Sequence, residues 1–456
     1  MACWRVRSGA GRPQGGPTRR FGRLVRLAVA AAVAFVGGPA HARTDILWWH
    51  GMSGELGRAL EQLADDFNAF QPDYHIVPVY KGNYTETVMA AIFAFRSNAQ
   101  PAIVQAAEVS TATMMAAKGA TYPVYELMRD LRVPFDPAAY LPAVTGYYTD
   151  LDGNMLSFPF NASTPILYYS KSAFAQAGLD PAAPPRTWPE VEEASRKLRA
   201  AGLPCGFTTH WPSWVNVENF SALHDLPIAT RSNGMAGLDA TLTIDNPLLV
   251  RHIGKLAEWQ TSKLYDYSGR AMSAEPRFHQ GECGIFLGSS AARADILARA
   301  KFEVGYGMLP YWPDVAAAPQ NTIIGGGSLW VLAGRPQAEY AGVAQFFAYL
   351  SRPEVQAAWH QKTGYLPITR AAFELTRRQG FYDRNPGTAI SIEQMTMKPP
   401  TENSKGLRLG SFVLIRSAIE DEMEAAFAGR ISAAEALANA QARGNKLLRQ
   451  FENASR

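Results

Sequence analysis

The 456-residue chain is poor in the residues that carry metal and redox chemistry, with three cysteines and eight histidines. None of His41, His50, His75, His210, His224, His252, His279 and His360 lies in a His-x-His or HExxH arrangement, and no Cys-x-x-Cys pair occurs. No zinc signature is therefore present, and no metal or cofactor is expected. No G-x-x-x-x-G-K-[ST] occurs either, so the chain does not use ATP through a phosphate-binding loop. The stretch "LGSSA" fails the G-x-S-x-G nucleophile pattern because Ala291 stands where the second glycine belongs. A catalytic triad assembled in space stays open. "TDLDGN" brings Asp150 and Asp152 close together, but it reads as a turn rather than a metal site. No apolar run reaches the roughly 20 residues of a membrane-spanning helix. No lysine- or arginine-rich stripe suggests a nucleic-acid partner.

What is present begins with an export signal. Arg5, Arg7, Arg12, Arg19, Arg20, Arg23 and Arg26 precede an apolar stretch from Leu27 to Val36, and Ala40-His41-Ala42 follows. A basic region, a short apolar region and a small-x-small site predict cleavage after Ala42 and an exported mature protein. The whole chain has 44 basic and 40 acidic residues, and losing those seven arginines leaves 37 against 40. The basic balance thus belongs to the signal. Cys3 leaves with it. Cys205 and Cys283 remain, in a compartment where either a disulfide or two buried thiols is admissible.

The mature chain alternates strand and helix. "DILWWHG", "YHIVPVY" and "AIVQAA" read as strands. Between them, "GELGRALEQLADDFNAFQ" places Leu56, Leu60, Leu63 and Phe67 on one helical stripe, and "YTETVMAAIFAFRS" is also helical. This is the rhythm of βαβ units on a parallel sheet. It resumes with "STPILYYS" as a strand and a helix over "TWPEVEEASRKLRAAG", with Thr187 as N-cap and Glu190 closing a capping box. "CGFTT", "CGIFLGSS" and a glycine-rich "NTIIGGGSLWVLAG" are further strands, and the later chain is mostly helical. No flexible linker separates the two α/β blocks. Two lobes built from discontinuous segments, with a cleft between them, are expected. Ligands of open α/β sheets bind at the carboxyl ends of strands. Ser289, at such an end, reads either as a nucleophile or as an anion donor where a helix begins.

Several stretches together resemble one family: "FNAFQPDYHIVPVYKGNY", "EVSTATMMAAKGA", "FPFNASTPILYYSKSAFAQAGLDP", "PPRTWPE", "APQNTIIGGGSLWV", "WHQKTGYLPITRAAFELTRRQGFYDRNPG" and "KGLRLG". They resemble the sn-glycerol-3-phosphate-binding members of the maltose-binding-like group of extracellular solute-binding proteins, which are periplasmic receptors of ABC uptake systems. "TGYLP" marks the broad group, whereas "YKGNY", "FNAST" and "IIGGGSLW" mark the glycerophosphate members. The resemblance implies an α/β, two-lobe periplasmic binding protein of type II, with a hinge and an interlobe ligand cleft. The crossovers are expected near residues 160, 304 and 364. One lobe then comprises 43–160 plus 304–363, and the other 161–303 plus 364–456. It also implies inner-membrane permease subunits and a separate ATPase chain as partners.

The ligand residues implied by the resemblance are Tyr84, Glu108, Ser163, Ser289, Gly326, Tyr365 and Arg416. Arg416 is expected to grip phosphate oxygens with its guanidinium fork. Ser163 and Ser289 donate hydroxyls, helped at Ser289 by the backbone N–H groups of a helix start. Gly326 permits close backbone approach, and Glu108 accepts from the glycerol hydroxyls. Trp211, ahead of Trp214, is expected to face a choline group, making glycerophosphodiesters such as glycerophosphocholine a second ligand class. His50 and Ser53 are expected to rim the cleft without direct contact. On this reading the chain is not an enzyme, and Ser289 is an anion donor. The alternatives are a neutral-sugar receptor of the same group and an exported glycerophosphodiesterase.

Overall fold

The computed structural model describes residues 43–150, 152–315 and 319–456, so the expected export signal at 1–42 lies outside the described residues. The alternating and continuous apolar runs form strands β1 (Thr44–His50), β2 (Tyr74–Tyr80), β3 (Ile103–Ala107), β4 (Thr121–Tyr122), β5 (Phe158–Ser163) and β6 (Pro165–Ser170). The later strands are β7 (Cys205–Thr209), β8 (Tyr265–Asp266), β9 (Cys283–Ser289), β10 (Val304–Gly307) and β11 (Gly325–Leu332). They make two sheets. The first has the order β2-β1-β3-β11-β4, with β5 also on β11, and the second has the order β10-β6-β9-β7-β8.

β1 runs parallel to both β2 and β3, and the helices Gly54–Phe70 and Tyr84–Arg96 supply the crossovers. On the first helix Leu60, Leu63 and Phe67 are buried, with Leu56 half-buried. Each such side chain contributes on the order of 1.5–3 kcal/mol when fully removed from water. The helix Trp188–Ala200 begins where its capping box predicts. Thr187 Oγ1 accepts from Glu190 N at 3.3 Å, and Glu190 Oε2 accepts from Thr187 N at 3.0 Å. One core surrounds the first sheet through Trp48, Phe67, Phe158 and Phe346. Another surrounds the second through Trp188, Phe207, Trp259 and Leu287.

The passage between sheets differs from the sequence expectation in two places. "STPILYYS" is not one strand: Ser163 ends β5 in the first sheet, Thr164 intervenes, and Pro165 opens β6 in the second. The return falls between Gly307 and Gly325, because β10 pairs with β6 and not with the first sheet. The residues near 304 therefore extend the second sheet. Thr164 Oγ1 donates to Thr322 Oγ1 at 2.7 Å, which ties the two passages together.

The glycine run of β11 carries a register shift against β5 between Gly327 and Ser328. Gly326 has φ +98°, and a Cβ there would lie 1.8 Å from Asn161 O. Only glycine permits the two strands to approach this closely. Cys205 and Cys283 stand opposite each other on parallel strands β7 and β9, with Cα atoms 4.8 Å apart, and form a disulfide. Asp266 lies beside them, but the pairing leaves no thiolate for a metal ion. Among the described residues no helix is long and apolar enough to cross a membrane.

Candidate functional site

The ends of strands from the first sheet bring together residues distant in sequence. Tyr84 opens the helix Tyr84–Arg96, which Asn83 and Glu86 cap reciprocally. Glu108 begins the turn that follows β3. Asn161 lies in β5, and Tyr365 follows the helix Pro353–Thr363, whose end is a left-handed Gly364. Asn161 Nδ2 donates to Tyr84 Oη at 2.8 Å, and Gln105 Nε2 donates to Asn161 Oδ1 at 2.9 Å. The Tyr365 phenol lies close enough to Tyr84 to perturb it. Burial, then the neighbouring Tyr365, pushes the Tyr84 phenol well above its ordinary range, so it remains a neutral hydroxyl. Tyr365 stacks on Trp359, with ring centroids 6.0 Å apart and planes at 4°.

Arg416 comes from the helix Phe412–Phe427, which packs on the second core through Phe412, Ile415, Ile419 and Met423. Its guanidinium is not a free fork. Nε donates to Glu218 Oε1 at 2.6 Å, and Nη2 donates to Glu218 Oε2 at 2.8 Å and to Glu108 Oε1 at 2.7 Å. Among the described residues Nη1 donates to none. Burial works against the Arg416 charge, but the two carboxylates outweigh it and hold the group protonated. Burial raises Glu108, and Arg416 opposes the rise. The sequence reading had no signal for Glu218. It lies on a π-helical turn, Trp214–Asn219, a geometry that recurs at functional sites and that no spacing rule reveals.

Ser163 ends β5, buried, directly opposite Gly325 of β11, the neighbour of Gly326. Ser289 ends β9 and opposes Pro165 at the start of β6. A helix does begin beyond it, but the backbone donors there are already used. Ser289 N donates to His210 Nε2 at 2.5 Å, Ser290 N to Thr164 O at 2.9 Å, and Ala291 N to Ser289 Oγ at 3.1 Å. The N–H groups of Ser289, Ser290 and Ala291 are thus spent, and the hydroxyl proton of Ser289 remains free of these bonds.

His210 stands beside Ser289 as a candidate general base. Its Nε2 is occupied by the backbone N–H of Ser289, so it cannot take a proton from Oγ. The ring proton therefore lies on Nδ1, 4.0 Å from Glu275 Oε2. Burial lowers His210 to about 3 and raises Glu275 to about 8, which leaves both neutral at pH 7. Ser, His and Glu are present, but wired to hold a loop rather than to make a nucleophile.

Of the two tryptophans, Trp211 has φ +48° and is partly buried against the second core. Trp214 is the one against the glycine strand. A Cβ on Gly325 would lie 2.5 Å from its indole, and its Nε1 has no partner among the described residues. His50 ends β1, buried, and its Nδ1 accepts from Met52 N at 3.3 Å. Ser53 is an exposed residue before the helix Gly54–Phe70. Neither makes a bond to the cluster.

Neutral hydroxyls and a guanidinium clamped by two buried carboxylates offer hydrogen-bond donors and acceptors to a polar ligand. Residues 62–389 match the model of the bacterial extracellular solute-binding protein family. The chain belongs to that family. It is a solute-binding protein and not an enzyme. It is 50% identical over 435 residues to the sn-glycerol-3-phosphate-binding periplasmic protein UgpB of Salmonella typhimurium, covering 95% of this chain and 99% of that one. Among solved structures, UgpB from Mycobacterium tuberculosis in complex with glycerophosphocholine superposes with a TM-score of 0.75 at 22% identity, over 90% of this chain and 99% of that one. The cyclic alpha-maltosyl-1,6-maltose binding protein from Arthrobacter globiformis gives 0.70 at 22% identity, over 90% and 100%. These two likenesses establish the two-sheet periplasmic binding protein fold, which is shared by receptors of different solutes.

Proposed function

We infer that this chain is the periplasmic binding component of an ABC uptake system, and that it binds sn-glycerol 3-phosphate and glycerophosphodiesters such as glycerophosphocholine. The observation that carries this reading is the 50% identity over 95% of the chain to a protein named for sn-glycerol 3-phosphate. Glycerophosphocholine enters through the relative solved with that ligand. The ligand-binding set is Tyr84, Glu108, Ser163, Ser289, Gly326, Tyr365 and Arg416. Serine hydroxyls, the Gly326 main chain and the remaining donor of Arg416 meet the phosphate. Glu108 accepts from the glycerol hydroxyls. Trp211 lies toward the choline. Its bonding supports this division of roles: Glu108 is a buried acceptor, and Ser289 keeps its hydroxyl proton for a ligand.

Capture is reversible closure of two lobes. We draw the lobes by sheet membership, 43–163 with 325–332 around the first sheet and 165–307 around the second, with the Arg416 helix joining the second through its packing on that core. The Glu108–Arg416 pair then bridges them. Permease subunits and an ATPase on separate chains complete the system. Titration calorimetry of the mature protein with glycerol 3-phosphate, glycerophosphocholine and maltose tests the reading. One-site binding of the two phosphate esters and none of maltose is expected. Maltose binding alone assigns a neutral-sugar receptor. Free choline after overnight incubation with glycerophosphocholine assigns a phosphodiesterase.

A further inference from the structure

Among the described residues Arg416 is the one guanidinium that bonds at the candidate site, and it is shared by two carboxylates. Glu218 takes it in a two-pronged grip at 2.6 and 2.8 Å, and Glu108 takes Nη2 at 2.7 Å. The side chains are 13%, 1% and 6% exposed for Arg416, Glu218 and Glu108, so water screens this triad little. With both carboxylates ionised, the triad carries a net charge of −1 before any anion arrives.

The surroundings do not restore balance. Glu420, on the same helix as Arg416, adds a further carboxylate and accepts from Ser213 Oγ at 3.1 Å. Arg270 approaches Glu420 only at 3.8 Å and is itself held by Asp421 and Glu424 at 2.6 and 2.7 Å. Arg408 donates to the main-chain oxygens of Gly146 and Tyr147 instead of to a carboxylate. The other titratable neighbours, Tyr84, Tyr147, Tyr148 and Tyr365, are phenols that burial keeps neutral. Among the described residues no other cation pairs with Glu108 or Glu218.

We propose that Glu218, by cancelling the charge of Arg416, makes the site take a phosphate group only as a monoanion. This proposal rests on the ligand reading above. A phosphodiester carries one negative charge and enters as it is. A phosphomonoester is largely a dianion above its second pKa of about 6, so its binding draws one proton from solvent. That proton rests on the phosphate, which is then bound as the monoanion. Glu218 is then a specificity-determining residue that touches no ligand. Like charges brought together in a dry site disfavour joint ionisation.

The test uses the mature wild-type protein with glycerol 3-phosphate and glycerophosphocholine as probes. Calorimetry in buffers of different ionisation enthalpy counts protons. We expect about one proton taken up per glycerol 3-phosphate at pH 8, and none with glycerophosphocholine. The dissociation constant for the monoester should rise about tenfold per unit from pH 7 to 8.5, following the loss of the monoanion. That for the diester should stay within a factor of two. Glu218→Gln, checked for folding by its melting curve, should lower the proton count and flatten the monoester slope. Binding of both ligands with equal pH dependence and no proton uptake overturns the proposal and leaves the ligand reading standing. Binding of neither overturns the ligand reading and this proposal with it. The wild-type proton count decides the matter even where the variant fails to fold.

Discussion

Replacing Arg416 with alanine should damage the fold as well as binding, and by an amount that depends on pH. The side chain makes three hydrogen bonds to two carboxylates that are almost wholly buried. Removing one partner from a buried ionic cluster costs about 3–5 kcal/mol, because the charges left behind are uncompensated. Here two carboxylates would face each other across the vacated space. Burial already raises Glu108 in the intact protein, and Arg416 is the group that opposes the rise. Without it Glu108 must rise further. A carboxyl whose folded pKa lies above its unfolded value favours folding relative to high pH only while it is protonated. The advantage is complete below the unfolded value near 4.3 and is lost as pH climbs through the folded value. Arg416→Ala should therefore lose most stability at pH 8 and markedly less at pH 5. Thermal melting of parent and variant at both pH values reads this directly. The double variant Arg416→Ala/Glu218→Gln should recover part of the loss at pH 8, since one of the stranded charges is gone. A variant that melts like the parent at pH 8, or a deficit that does not change with pH, refutes the compensated-triad argument.

Gly326→Ala should be destabilising by several kcal/mol and abolish ligand binding, because a Cβ there meets Asn161 O at 1.8 Å from a φ of +98°; circular-dichroism melting and calorimetry check both. Removing the disulfide with Cys205→Ala/Cys283→Ala should cost about 2–4 kcal/mol, seen as a lower melting temperature with ligand affinity retained. Trp211→Ala should weaken glycerophosphocholine binding more than glycerol 3-phosphate binding, by about 0.5–2 kcal/mol of lost cation–π attraction. Equal losses for both ligands in paired titrations, with a lower melting temperature, would assign Trp211 to the core. His210→Ala should release the Ser289 backbone and weaken phosphate binding about tenfold or more; a variant that binds like the parent removes His210 as the support of that loop.

Much of the architecture is legible from period and punctuation. The βαβ units of the first sheet follow from short apolar runs separated by an amphipathic stripe, and the capping box at Thr187 marks its helix start to the residue. Local rules fail where the chain changes sheets. "STPILYYS" has the composition of one strand, but Pro165 lacks the N–H that a continuing ladder needs, and Thr164 spends its hydroxyl on Thr322 instead. β10 is equally opaque, since four residues, Val304–Gly307, carry too little pattern to say which sheet they join. Its partner β6 lies more than a hundred positions earlier, and the pairing is decided by tertiary packing.

The site shows the same division more sharply. Motifs single out the types of the candidate residues, but not the charge state they create together. An arginine in "LIRSA" is a cation until its partners are known, and those partners lie 198 and 308 positions away, in Glu218 and Glu108. A serine after a glycine at the end of a strand is a candidate nucleophile until its neighbour is known. That neighbour, His210, stands 79 positions away and spends its accepting nitrogen on the backbone. In both places the chemistry is set by which atom of a side chain is already occupied. Such occupancy is a property of the folded chain, because hydrogen-bonding capacity is finite and each bond made inside the protein is one withheld from a ligand. The same limit explains how one fold accommodates receptors of sugars and of phosphate esters. The sheets bring strand ends together, and the solute taken depends on which donors and acceptors the protein has left unspent there.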